Sequence, residues 1–128
     1  MNEIVYDAGA LIAMEGSRSR AALARHRRFL AEDYRVMVPS VVAAQVVRDP
    51  PRQAPLMRVL RGCDVVPFGE DDYGPVGRLL AESGTSDVAD GFVALTAARR
   101  QATVITSDRA RIAALLGTLR APLPVLEP

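Results

Sequence analysis

The chain has 128 residues, a length that suits one domain burying roughly two thirds of its unfolded surface. Its 49% hydrophobic and 24% charged residues exclude disordered and collagen-like classes, and a net charge of +1 is too balanced to name a polyanionic partner. All sixteen basic residues are Arg, and there is one Cys and one His. That composition excludes lysine chemistry and a Cys-based zinc site and argues against a Ser-His-Asp triad.

Ile4-Val5-Tyr6 is an apolar run stopped by Asp7 and reads as a strand, followed by a short helix from Ala8 to Met14. Gly16-Ser17 breaks that helix, and Ser17 reads as the cap of a longer Ala- and Arg-rich helix through Leu30. Val36-Met37-Val38 is a second strand. Pro39 opens the next helix, where a missing N–H costs little, and Asp49-Pro50-Pro51 stops it after about Arg48. A helix over Ala54 to Arg61 ends at Gly62. Val65 to Phe68 reads as a third strand, placed at an edge by Pro67. Gly69 to Asp72 is a polar turn, Tyr73 to Ala81 a helix, and Ser83 to Ser86 a loop. Asp87 to Arg100 is a strong helix, Val104 to Thr106 a strand, Arg109 to Leu116 a helix, and Pro124 to Leu126 a last strand. Strands alternating with helices predict a single α/β domain, with a mostly parallel sheet of four to five strands covered by helices.

The start of the chain lacks a basic segment, and its longest apolar stretch, Val36 to Val47, is too short for a membrane span of ~20 residues. The expectation is a soluble, cytoplasmic protein.

Carboxylates recur in one context. Asp7 and Asp108 each follow a strand and precede a helix, and Asp87 and Asp90 open a helix three residues apart, on one face. Each alone reads as a helix cap or a first-turn acid favoured by the helix dipole. As a set they point elsewhere. Strand C-termini and helix N-termini line one edge of an open α/β sheet, where ligands bind. Several carboxylates meeting there repel unless a counter-charge joins them, either an Arg or a hard divalent cation such as Mg²⁺ or Mn²⁺. A carboxylate-held Mg²⁺ suits phosphodiester hydrolysis.

Three segments carry a resemblance: Val5-Tyr6-Asp7-Ala8-Gly9-Ala10-Leu11-Ile12-Ala13, Asp90-Gly91-Phe92-Val93-Ala94-Leu95-Thr96-Ala97 and Val104-Ile105-Thr106-Ser107-Asp108. In their order and spacing the chain, from about Ile4 to Leu116, resembles a PIN domain, and more narrowly the VapC-type toxin ribonucleases. The resemblance implies a parallel sheet flanked by helices, an acidic pocket for Mg²⁺ or Mn²⁺, and endonucleolytic cleavage of RNA. It also implies a homodimer restrained by a cognate antitoxin. Asp7, Asp90 and Asp108 take the positions of the metal ligands, with Asp87 as an added carboxylate. Thr106 matches a hydroxyl that orders the loop, and Thr106 and Arg109 stand on the substrate side.

Two positions depart from the family pattern. Gln45 stands where a Glu is usual; its carbonyl oxygen binds metal or water but carries no charge. Gly9 stands where many members have Ser, Thr or Asn. The alternative that follows from Gln45 is a catalytically weak or inactive module that binds RNA or protein.

The arginines of the second helix (Arg18, Arg20, Arg25, Arg27, Arg28) read as a solvated face or, alternatively, a phosphate-contacting patch. His26 among them reads as a helix-surface residue. Arg109 and Arg111 read as helix surface or as phosphate contacts. Cys63 reads as a small, partly buried residue, and Leu79, Leu80, Phe92, Val93, Leu95, Ile112, Leu115 and Leu116 as core. A phosphoaccepting receiver domain, the rival α/β fold with an acidic Mg²⁺ pocket, needs a Lys that this chain lacks.

Overall fold

A computed structural model of the chain describes residues 2–16 and 20–128; the expected cap at Ser17 and the side chain of Arg18 lie outside them. The elements run β1 (Glu3–Tyr6), α1 (Ala8–Glu15), α2 (Arg20–Ala31), β2 (Arg35–Pro39), α3 (Ser40–Val46), α4 (Ala54–Arg61), β3 (Asp64–Val66), α5 (Tyr73–Ser83), α6 (Val88–Arg100), β4 (Thr103–Ile105), α7 (Arg109–Thr118) and β5 (Val125–Leu126). A single 3₁₀ turn over Pro50–Arg52 separates α3 from α4.

The five strands form one sheet in the order β3-β2-β1-β4-β5, and every pairing is parallel. Val5 lies opposite Met37 on one side and Val104 on the other. Val5, Val38 and Val104 are all fully buried, because helices cover both faces of a parallel sheet and leave no polar alternation in its central strands. From β1 the chain steps outward to β2 and β3, then crosses back to place β4 on β1's other side. The order therefore reverses at the β1–β4 seam, the switch point at which an open α/β sheet leaves a crevice beyond its strand ends.

Helix α6 is the most buried helix face: Ala89 and the run Gly91–Ala97 are all enclosed. Gly91 allows this, since a Cβ there would lie 3.0 Å from Leu80 and 3.2 Å from Val76 of α5. Helix α5 runs to Ser83, two residues past Ala81, and is closed by left-handed Gly84, φ 72°. Helix α7 likewise runs past Leu116 to Thr118.

Two expectations are corrected. The third strand is Asp64–Val66, not Val65–Phe68. Pro67 has no N–H for the ladder, and the amide of Phe68 donates instead to Ser40 Oγ at 3.1 Å. β3 does lie at the sheet edge. His26 is not a surface residue: it is buried against Tyr6, sharing a 2.8 Å hydrogen bond through Nδ1. Burial, with Arg27 nearby, holds its pKa below the ordinary value. Arg27 and Arg28 remain exposed, while Arg25 donates to the carbonyl of Glu127 at 3.0 Å. Cys63 is half-buried as expected, and burial pushes its thiol up to about 12.

Gln53 fastens the segment after α3. Its Oε1 accepts from the amides of Arg48 (2.8 Å) and Asp49 (2.9 Å). Its Nε2 donates to Glu15 Oε1 (2.7 Å) and the carbonyl of Val46 (2.9 Å), tying α3 to the end of α1. No described helix is long and apolar enough to cross a membrane.

Candidate metal centre at the sheet switch point

Asp7 stands at the end of β1 and caps α1. One carboxylate oxygen accepts from the amide of Ala8 at 2.8 Å. The other accepts from Thr106 Oγ1 at 2.7 Å, across the seam. The backbone amide of Asp7 continues the ladder to the carbonyl of Ile105 at 3.0 Å. Thr106 is fully buried, and its hydroxyl also accepts from the amide of Asp108 at 3.0 Å. Both hydroxyl functions are thus engaged, so Thr106 orders Asp7 and the β4–α7 loop; it is closed off from the substrate side on which the sequence had placed it.

Asp87 and Asp108 are also caps. Asp87 Oδ1 accepts from the amide of Asp90 at 3.0 Å, and Asp108 Oδ1 from the amide of Arg111 at 3.3 Å. Capping and site readings are therefore compatible, since a cap engages one carboxylate oxygen and leaves the other for a second partner, Thr106 at Asp7 and the Arg111 guanidinium at Asp108.

Asp90 caps nothing. It lies in the first turn of α6 with its side chain mostly buried, and its Oδ2 accepts from Arg111 Nη1 at 3.1 Å. Burial pushes its carboxyl above the ordinary range, Arg111 opposes this, and the charges of Asp87 and Asp7 add to the rise. The same guanidinium reaches Asp108 Oδ2 through Nε at 3.2 Å. Its own pKa is raised by Asp90, then Asp108 and, more weakly, Asp87. Arg111 thus pairs with Asp90 of α6 and Asp108 at the start of α7, while Asp7, at the end of β1, is coupled to Asp90 by charge alone.

Arg109 and Arg111 separate cleanly. Arg109 turns away and donates through Nε to the carbonyl of Val125 at 3.1 Å. Gln45 is exposed on α3 and makes no hydrogen bond to the four aspartates. Gly9 has a packing role that the sequence did not reveal. A Cβ there would lie 2.6 Å from Ser107 Cβ and 3.0 Å from its amide, and would overlap its hydroxyl. The start of α1 and the β4–α7 loop approach this closely only because residue 9 has no side chain.

The sequence model of the PIN domain family matches residues 4–115. The chain belongs to the PIN domain family. Solved structures share its fold at low identity. VapBC2 of Rickettsia felis, a structure bound to a promoter DNA fragment, superposes with a TM-score of 0.72 at 16% identity, covering 98% of each chain. FitAcB of Neisseria gonorrhoeae gives 0.65 at 19%, covering 96% of each chain. PAE2754 of Pyrobaculum aerophilum gives 0.64 at 18%, covering 98% of this chain and 83% of the other. No curated protein matches the sequence.

The donor chemistry of the PIN site fits a divalent ion. It is all carboxylate oxygen, the set preferred by hard cations, and after burial the charges of Asp87 and Asp7 add to the rise at Asp90. Among the described residues no three acidic, His or Cys side chains are close enough to hold one ion as they stand. Arg111 lies between Asp90 and Asp108 instead.

Proposed function

We propose that this PIN domain is a metal-dependent endoribonuclease and the toxin of a type II toxin–antitoxin pair. The observation that carries the reading is the gathering of Asp7, Asp87, Asp90 and Asp108 at one end of the sheet, with Asp7 and Asp87 acting by charge on Asp90 and Arg111 bridging Asp90 to Asp108. Asp7, Asp90 and Asp108 would hold Mg²⁺ or Mn²⁺, with Asp87 assisting directly or through water. Such an ion supplies a water of lowered pKa and stabilises charge on the phosphate oxygens.

The chain's own groups set up the rest. Thr106 and the Ala8 amide fix the Asp7 carboxylate in one orientation. Burial of Asp90 strengthens its pull on any cation beside it. Gln45 offers a neutral carbonyl oxygen to a water or metal, and Arg109 at the rim serves substrate phosphate once released from Val125. The toxin–antitoxin assignment draws on VapBC2 and FitAB, structural neighbours that are themselves solved as complexes. It brings with it a cognate antitoxin partner, a homodimer, an RNA substrate and a cytoplasmic location. The whole chain, 1–128, is read as one domain.

The test is cleavage of a mixed tRNA and rRNA pool in Mg²⁺, Mn²⁺ and EDTA, with Asp90→Asn as the contamination control. Metal-dependent cutting that Asp90→Asn abolishes supports the nuclease. Full activity in Asp90→Asn or Asp7→Asn overturns the site. The second reading, a PIN module that binds RNA or protein without cleaving it, draws on the uncharged, exposed Gln45; folded, antitoxin-free protein without cutting in any lane favours it.

A further inference from the structure

The geometry points to Arg111 as a built-in cation that a divalent ion must displace, so that this residue sets the metal affinity of the site. The inference rests on the metal-dependent reading above. Arg111 meets Asp90 at 3.1 Å through Nη1 and Asp108 at 3.2 Å through Nε, joining the N-termini of α6 and α7. These are two of the three carboxylates proposed to hold the ion. A planar guanidinium engages two carboxylates along separate edges, which a point charge cannot do.

The arrangement has the properties of an exchangeable occupant. The Arg111 side chain is about half exposed (51%), and among the described residues its side-chain partners are these two carboxylates alone. Its place in the first turn of α7 lets it swing to solvent without moving the helix. Arg111 engages Oδ2 of both Asp90 and Asp108, oxygens that an ion held by these two residues would need. Metal and Arg111 therefore compete for the same carboxylates. Arg109, the other arginine of that turn, is directed to Val125 instead. Metal binding replaces one positive charge by two, so the net electrostatic gain is smaller than at an open acidic cluster.

The experiment measures Mn²⁺ binding directly, by calorimetry and by the loss of the free-ion paramagnetic resonance signal, on the full chain without RNA. Wild type is compared with Arg111→Gln, Arg111→Lys and Arg61→Gln, the last an equal charge change on α4. Arg111→Gln is expected to lower the Kd for Mn²⁺ at least ten-fold, Arg111→Lys to fall between it and wild type, and Arg61→Gln to match wild type. Metal-free Arg111→Gln should also melt below wild type and gain more in Tm from Mn²⁺. If wild type binds Mn²⁺ and Arg111→Gln binds it equally or more weakly, the exchange is overturned while the metal site stands. If Arg61→Gln tightens binding as much as Arg111→Gln, the effect is one of net charge and the exchange is likewise overturned. If none of the four proteins binds Mn²⁺, both readings fall together.

Discussion

Thr106 and Asp7, 99 positions apart in the chain, are joined by a buried 2.7 Å hydrogen bond across the β1–β4 seam. The bond does two things at once, since the same hydroxyl receives the Asp108 amide. Thr106→Val keeps the shape and removes both functions. It should cost about 1–3 kcal/mol in urea unfolding, the usual penalty for leaving buried polar groups unpaired. Thr106→Ser should restore most of it. Equal stability of Val and wild type would show that the bond does not order the site.

Gly9 and Ser107 make a second pair across that seam. Gly9→Ala should destabilise by about 1–3 kcal/mol, because the added methyl overlaps the Ser107 side chain. Ser107→Gly in that background should recover more than half. A double-mutant cycle with no coupling would remove the contact from the argument.

His26 predicts a pH dependence. Its folded pKa lies below its ordinary 6.5, because burial disfavours the charged ring. Between the folded value and 6.5 the unfolded chain binds a proton that the folded chain does not. Stability is therefore full above 6.5 and falls as the pH drops through the folded value. Wild type should lose stability between pH 7.5 and 5.5 more steeply than His26→Gln, in denaturant melts at each pH. Parallel slopes would contradict it. The carboxylates titrate in both proteins and drop out of the difference.

Two glutamines should behave oppositely. Gln53→Ala strands the Arg48 and Asp49 amides and the Val46 carbonyl, and should cost about 1–3 kcal/mol. Gln45→Ala, on an exposed helix face, should change stability by no more than about 0.5 kcal/mol. Its effect belongs in cleavage, which should fall several-fold. Unchanged cleavage in Gln45→Ala would take that residue out of the chemistry.

The sequence made Asp7 and Asp108 legible because the position that caps a helix after a strand also lies at the strand-end edge of the sheet, and Asp87 because it caps the helix that Asp90 opens. It did not distinguish Arg109 from Arg111. Two residues apart on a helix point to opposite sides, so a shift of one residue in the start of α7 exchanges their roles. His26 was hidden by its neighbours: five arginines surround it in sequence, yet it stands four residues after Ala22 on the one buried stripe of α2. Gln53 gave no signal, for its partners on α1 and around α3 become neighbours only when those helices pack.

The strand order also fixes when the acidic centre comes into being. β4 arrives after every other strand except β5, yet it flanks β1, opposite β2. Until it docks, Asp7 has no hydroxyl to orient it and Asp90 no guanidinium to steady it. A nascent chain, or one cut short before Thr103, carries Asp7, Asp87 and Asp90 without the geometry that unites them. Synthesis from the N-terminus therefore leaves these carboxylates unassembled until β4 and α7 have been made.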